Sequence, residues 1–149
     1  MYASILVGVD GSRLARNAAS KAVELGRLVK GRVTFLYVVP SPALPSLYDD
    51  NPAVLGALNP VNKINFQAEK DGPGILEAAG ELAAASGVAF RTRTRKGDPA
   101  EEIVAEARGA LYDLIVLGNR GLGGLKGILM GSVSSKVSHS APCSVLVVR

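Results

Sequence analysis

The sequence predicts an α/β fold: one doubly wound, Rossmann-like domain with a five-stranded parallel sheet and helices on both faces. Three observations carry that reading. Short apolar runs bounded by turn residues, at Ser4 to Val9, Arg32 to Val39, Val88 to Arg95, Leu114 to Gly118 and Ser144 to Val148, alternate with longer stretches of helical periodicity. Three of the runs, Ile5-Leu6-Val7, Leu114-Ile115-Val116-Leu117 and Val145-Leu146-Val147-Val148, are apolar on both faces, which places them at the centre of the sheet. The length is 149 residues, 48% of them hydrophobic, and a domain typically holds ~100 to 150 residues.

Each element has its own local reason. The first run leads into Asp10-Gly11-Ser12, where Ser12 is placed to cap a helix carrying Ala15, Ala18, Ala19, Ala22, Leu25 and Leu28 at helical spacing, with Gly31 as its stop. After the second run the rhythm fails. Pro40, Pro42, Pro45, Pro52 and Pro60 stand among small residues as far as about Asn65, so this stretch is expected to be a long surface connection, a variable connector or a lid or partner contact. Gln67 to Ser86 has helical spacing through Ile75, Leu76, Ala79, Leu82 and Ala83, but Gly72-Pro73-Gly74 is expected to break or kink it early, leaving a helix from about Gly74 to Ser86 with room for a shorter one before it. Arg91, Arg93 and Arg95 alternate along the third run with Lys96 after them, three guanidinium groups on one face of an edge strand, where charge discourages unwanted pairing. Asp98-Pro99-Ala100-Glu101 then combines an N-cap, a proline at the first helical position and a capping-box glutamate, and Ile103, Val104 and Ala107 form the inner face of that helix. A last helix begins near Gly131-Ser132 and runs to about Ser140, stopped by Ala141-Pro142.

Composition narrows the function classes. Seventeen Lys and Arg against 13 Asp and Glu give a net charge of +4, which suits an anionic partner. Nucleic acid is disfavoured, because a broad basic surface with stacking aromatics is missing: there are three Phe, four Tyr and no Trp. The opening Met1-Tyr2-Ala3-Ser4 lacks the basic residues of a signal peptide, and no apolar stretch reaches the ~18 residues a membrane span requires. Cys143 stands alone, which excludes an intrachain disulfide and a Cys-based zinc site and points to a reducing compartment, the cytoplasm. It reads as a small core residue before the last strand. His139, the one histidine, has no Ser, Asp or Cys partner at a motif spacing and reads as a helix-end residue favoured by the dipole. No residue is assigned as catalytic or as a metal ligand.

The most informative segment follows the fourth strand. From Gly118 to Gly131 the chain carries six glycines and then enters a helix. Glycine lets backbone N–H groups approach an anion closely, and a helix N-terminus adds donors and a favourable dipole, so the segment reads as a phosphate cradle. It is not a Walker A loop, since Lys126 is followed by Gly127. Nor is it a dinucleotide fingerprint, because Lys126 stands where the third glycine after Gly121 and Gly123 belongs.

The spacing Gly118, two residues, Gly121, nine residues, Gly131-Ser132 resembles the G-2x-G-9x-G-(S/T) motif of the ATP-binding branch of the universal stress protein family. The resemblance extends over nearly the whole chain, through Ile5-Leu6-Val7-Gly8-Val9-Asp10-Gly11-Ser12 at the start and Ala141-Pro142-Cys143-Ser144-Val145-Leu146-Val147-Val148 at the end. It implies a strand order of 3-2-1-4-5 and ATP lying across the carboxyl ends of strands one and four, with Mg²⁺ or Mn²⁺ held by the phosphates. By the same resemblance Val9 and Asp10 line the nucleoside, Asp10 accepting from ribose hydroxyls or from water on a phosphate-bound metal, and main-chain groups at Val38 read the adenine edge. Gly118 and Gly121 approach the ribose and α-phosphate, while Gly131, Ser132, Val133 and Ser134 donate to the β- and γ-phosphates. Asn119 stands where the family often has a small hydroxyl residue, and Arg120 is either a phosphate partner or a solvated loop arginine. Lys126 reads as a surface charge.

Binding is better supported than turnover, since no base or water-orienting group stands out beside Asp10. The expected function is that of a nucleotide-dependent regulator or stress-response factor in which ATP orders the glycine loop and changes what an unidentified protein partner sees. The alternatives are a slow ATPase or self-phosphorylating enzyme, with Ser132 and Ser134 as the nearest hydroxyls, and an interaction protein that no longer uses nucleotide. The last strand ends one residue from the C-terminus, and an open apolar edge there invites pairing; the resemblance implies a homodimer through this strand.

Overall fold

The computed structural model describes residues 1–41, 52–120 and 130–149, with the backbone alone over 52–63. The described residues form β1 (Ser4–Gly8), α1 (Arg13–Val29), β2 (Arg32–Pro40), α2 (Pro52–Ala85), β3 (Phe90–Gly97), α3 (Pro99–Gly109), β4 (Leu114–Gly118), α4 (Ser132–Ser140) and β5 (Ser144–Val148). The five strands make one sheet in the order β3-β2-β1-β4-β5, and every pairing is parallel. The fold is the doubly wound α/β sheet with strand order 3-2-1-4-5.

Side chains alternate across the sheet and so build two cores. On one face Ile5, Val7, Val33, Phe35, Tyr37, Leu114 and Val116 pack against Ala18, Ala22 and Val23 of α1 and Leu76, Ala79 and Ala83 of α2. On the other, Leu6, Leu36, Val38, Ile115 and Leu117 meet Ile103, Val104 and Ala107 of α3 and Val137 of α4. The alanine face of α1 lets that helix lie close on the strands. Among the described residues no helix is long and apolar enough to cross a membrane.

Helix starts follow the capping chemistry. The Ser12 hydroxyl accepts from the Ala15 N–H at 3.1 Å, and the Asp98 carboxylate accepts from the Glu101 N–H at 3.1 Å with Pro99 at the head of α3. His139 lies in the last turn of α4, its Nδ1 3.2 Å from the Ser135 carbonyl oxygen. Cys143 is half-buried against the second core, and burial, followed by the nearby Asp113 carboxylate, pushes its thiol pKa up.

Three expectations need correction. The stretch from Pro52 onward is not a loop: α2 runs continuously from Pro52 to Ala85, through Pro60 and Gly72-Pro73-Gly74, while residues 42–51 of the expected connection lie outside the described residues. Anchors on both sides of Pro73 outweigh its local cost. The Tyr37 hydroxyl donates to the Ala68 carbonyl at 3.0 Å, Gly72 lies flat on the Tyr37 ring, and Leu76 and Ala79 are buried beyond it. The second correction concerns β5, whose apolar run suggested a central strand; it is an edge strand with Leu146 41% exposed. Only β1 and β4 of the three apolar runs are interior, with β2 between β1 and β3. The third concerns the arginine ladder. β3 is an edge strand, yet two of its guanidinium groups are tied down: Arg93 Nε lies 3.3 Å from Glu106, and Arg95 bonds both Glu102 and, at 3.1 Å, Glu106 of α3. The ladder joins the edge strand to a helix besides charging the edge.

Candidate functional site

The carboxyl ends of β1, β2 and β4 open into a cavity of about 680 Å³, within the ~300 to 1,000 Å³ of small-ligand sites. The winding of the sheet makes it. β1 connects outward to β2 through α1, and β4 lies on its other side, so the chain leaves these strand ends in opposite directions and a crevice remains.

The floor is set by the turn after β1. Val9 N–H donates to the Leu36 carbonyl at 2.9 Å, which holds the first exit against β2. Asp10 Oδ1 accepts from the Ser12 N–H at 2.9 Å, while Gly11 takes a φ of +83°, a left-handed conformation that the tight turn demands. This fixes the Asp10 carboxylate at the cavity wall and leaves its second oxygen for another donor. Behind it, Gly118 sits beneath the first turn of α1: a Cβ there would lie 2.8 Å from the Leu14 carbonyl carbon and 3.0 Å from the Ala15 nitrogen. Glycine at 118 is therefore demanded by packing between β4 and α1, whatever binds above it.

The opposite wall is the start of α4. Gly131 N–H donates to the Asn119 carbonyl at 2.7 Å, and the same carbonyl accepts from the Ser134 hydroxyl at 3.1 Å, so the exit from β4 and the entry into α4 are bonded together. The first helical bond runs from Ser135 N–H to the Gly131 carbonyl at 3.0 Å, and among the described residues no side chain caps the helix. The amides of Ser132, Val133 and Ser134 consequently point out of the helix end without an intrahelical acceptor, a concentration of donors at the positive pole of the dipole. Arg120 adds a guanidinium to the same side.

A third wall was not foreseen. Ile64, Gln67, Ala68, Asp71 and Ile75 recur at helical spacing along α2 and all face the cavity. Gln67 Nε2 donates to Asp71 Oδ1 at 2.9 Å. Tyr37 lies between this wall and the floor, and burial, followed by the nearby Asp71 and Asp10 carboxylates, pushes its hydroxyl above the ordinary pKa of 10.0. A second cavity, about 830 Å³, lies between α1 and α2 and shares Asp10, Ala15, Asp71 and Ile75 with the first.

Of the expected site residues, Val9, Asp10, Val38, Gly118, Arg120, Gly131, Ser132, Val133 and Ser134 converge on this one cavity. Asn119 does not line it; its backbone is engaged at both ends, the N–H donating to the Val148 carbonyl at 2.7 Å. Gly121 and Lys126 lie outside the described residues. Ser134 is 3% exposed with its hydroxyl proton directed at backbone carbonyls of Asn119 and Gly131, so its amide, not its hydroxyl, is available to a ligand. Among the described residues no group of three or more His, Cys, Asp or Glu side chains gathers to hold a metal.

The model of the universal stress protein family matches residues 1–149. The chain belongs to the universal stress protein family. Among family relatives, it is 36% identical to universal stress protein YxiE of Bacillus subtilis (strain 168), over all of both chains. Universal stress protein UspA from Lactobacillus plantarum superposes with a TM-score of 0.75 at 29% identity, covering 99% of this chain and 98% of that one. A universal stress protein solved in complex with cAMP superposes with a TM-score of 0.72 at 26% identity, covering 99% and 97%. The family fold accounts for the sheet order.

Proposed function

We propose that the protein binds ATP in the strand-end cavity and acts as a nucleotide-dependent regulator, as expected of the ATP-binding branch of its family. The observation that carries this reading is the polarity of the cavity. At one side stand the amides at the head of α4 with Arg120, donors matched to a polyphosphate. At the other stand acceptors, Asp10 and Asp71, which suit the hydroxyl and amino groups of a nucleoside and would repel phosphate. Apolar Val38 and Ile103 also line the cavity, a surface for a base. The binding of cAMP by a relative of 26% identity supports an adenine nucleotide as the class of ligand.

The donor set fits a phosphate-bound Mg²⁺ or Mn²⁺: the cavity offers the carboxylate of Asp10, so the metal would arrive with the phosphates as its principal ligands. Should self-phosphorylation occur, Ser132 is the hydroxyl to examine, because it is exposed at the head of α4 whereas Ser134 is buried and bonded. A homodimer through β5 belongs to the same proposal, supported by its position at the sheet edge and its exposed Leu146. Cytoplasmic location and a protein partner complete the reading.

Mass spectrometry of protein denatured straight after purification, with no nucleotide added, is expected to release ATP. Finding none, together with no thermal shift on adding Mg-ATP, would exclude the proposal. Sedimentation at micromolar concentration is expected to show a dimer; a monomer would remove the β5 pairing but leave the nucleotide site standing.

A further inference from the structure

We propose that the outer edge of β3 is a docking site for a partner protein, taking an extended acidic segment with carboxylates at alternate positions as an added strand. The inference gives the proposed protein partner a chemistry and stands apart from the nucleotide site. β3 is a long edge, eight residues from Phe90 to Gly97, paired with β2 in an unbroken register from Val33 opposite Phe90 to Pro40 opposite Gly97. Edge strands are protected by shortness, a bulge, proline, a covering element or charge. Here there is no proline and no bulge, and every residue from Phe90 to Thr94 is exposed, so charge is the protection that remains. The Val33 N–H donates to the Ala89 carbonyl at 3.0 Å, which sets the phase of the parallel ladder. Arg91, Arg93 and Arg95 accordingly turn their main-chain groups towards β2, while Thr92, Thr94 and Lys96 turn theirs outward. Among the described residues no strand meets them.

The charge that protects the edge also selects its occupant. Arg91, Arg93 and Arg95 share a face of the sheet with Leu36 and Val38, and Arg32 of β2 stands on that face too, since side chains alternate along each strand. Arg93 and Arg95 are paired with Glu106 and Glu102, and Lys96, on the other face, with Glu69 at 2.9 Å. These five cations meet three carboxylates, and Arg32 and Arg91 make no ion pair among the described residues. A second copy of the edge would set arginine against arginine, and β5 carries no carboxylate to answer them. An acidic strand meets both needs: its main chain bonds the outward groups, and its carboxylates stand over the arginine row. On the opposite face Phe90, 39% exposed, with Thr92 and Thr94 suits β-branched side chains between the acids. A nucleic acid would use the arginines but leave the main-chain edge unpaired.

The probe is a labelled, end-capped peptide alternating glutamate and valine, long enough to match the ~26 Å of β3, titrated into the full chain by fluorescence anisotropy. Two controls accompany it: the same peptide with lysine for glutamate, and the glutamate peptide N-methylated on the main-chain nitrogens of one edge and then of the other. The glutamate peptide is expected to bind and to slow hydrogen exchange at the Thr92, Thr94 and Lys96 amides, whereas the lysine peptide and one of the N-methylated peptides do not bind. Arg91→Glu, which breaks no ion pair, should weaken binding about tenfold. Thr94→Pro removes an outward N–H where an edge strand tolerates proline, and should abolish binding at an unchanged melting temperature; if that variant melts early, the N-methylated peptides decide. Binding of both N-methylated peptides at full strength, or unaltered exchange along β3, would mean attraction without strand addition and overturns the inference. Absence of binding by the glutamate peptide overturns it as well. An oligothymidylate that displaces the peptide and binds Thr94→Pro as tightly as wild type would assign the arginines to phosphate and likewise overturn it. Each of these failures leaves the nucleotide site standing.

Discussion

Gly118→Ala separates two roles that a glycine at a strand end can play. A ligand that needs close backbone approach would suffer from the added methyl only when bound, but the contacts in the empty protein already forbid it. The new Cβ would sit 2.8 and 2.9 Å from the carbonyl carbon and oxygen of Leu14 and 3.0 Å from the Ala15 nitrogen. Ordinary contact begins about 0.5 Å further out, and all three atoms belong to backbone, so no rotamer change relieves them. The first turn of α1 must lift from β4, or β4 must move. Overpacking of this kind costs about 1–3 kcal/mol, and backbone on both sides puts the expected loss near ~3 kcal/mol, or roughly 6–12 °C in melting temperature for a chain of this length. Gly74→Ala is the internal control, because a Cβ there meets nothing within 4 Å and position 74 lies inside α2. It should gain about 0.5–1 kcal/mol from the better helix propensity. Urea denaturation of nucleotide-free protein measures both. If Gly118→Ala unfolds at the wild-type midpoint yet loses ATP binding, the packing argument is wrong and the glycine serves the ligand alone.

Three further outcomes follow from the same contacts. Glu106→Ala should destabilise by about 1–3 kcal/mol in urea denaturation, since Glu106 is 6% exposed and its loss leaves the buried Tyr112 hydroxyl, 3.2 Å away, with Thr34 as its remaining side-chain partner, while Arg93 and Arg95 can turn partly to solvent; an effect below about 0.5 kcal/mol would refute it. The raised pKa of Tyr37, caused first by burial and then by Asp71 and Asp10, means the native state keeps this proton after the unfolded chain has released it. Stability from this group is thus complete below the unfolded value of 10.0 and is lost as pH rises through the folded one, so Tyr37→Phe should flatten the loss of stability between about pH 9 and 11, with parallel curves for the two proteins counting against it. Ser132→Glu should act in opposite directions on two measurements: a carboxylate in the first turn of α4 adds about 0.3–1 kcal/mol of helix stability, yet it should abolish the thermal shift with Mg-ATP by occupying the phosphate pole. A variant that still binds ATP at wild-type strength would move the phosphates away from α4.

Much of the fold was legible because local and tertiary signals agreed. Ser12 and Asp98 cap the helices they were expected to cap, and the β4 and α4 boundaries that frame the glycine segment fall where turn chemistry puts them. The failures share a cause, which is that a window of sequence carries no account of what packs on it. Pro73 ends a helix in isolation; here Tyr37 of β2 grips α2 at Ala68 and Gly72 and carries it past the proline. The third wall of the cavity was hidden by the same error, since Gln67 and Asp71 share a face with Ile75 only if the helix is unbroken. β5 misled for a different reason: its run Val145-Leu146-Val147-Val148 is apolar on both faces, as an interior strand's is, yet the sheet order puts it at the edge.

The orientation of a nucleotide follows from which strand ends carry which charges. α4 begins where β4 ends, so its dipole and its uncapped amides reach the cavity from the β4 side, with Arg120 beside them. Asp10 ends β1 and Asp71 comes from α2, which packs against β2, so the acceptors lie towards the other half of the sheet. A triphosphate placed against Asp10 and Asp71 would set its negative charge on two carboxylates, whereas the reverse placement sets it on amide donors and a guanidinium. Placing one unit charge about 4 Å from a carboxylate costs roughly 4 kcal/mol at an effective dielectric of 20, before screening. Half of that cost is enough to set the direction of binding. In the proposed orientation the carboxylates that could serve as bases would stand at the nucleoside end, away from the terminal phosphate, an arrangement that favours holding the nucleotide over hydrolysing it.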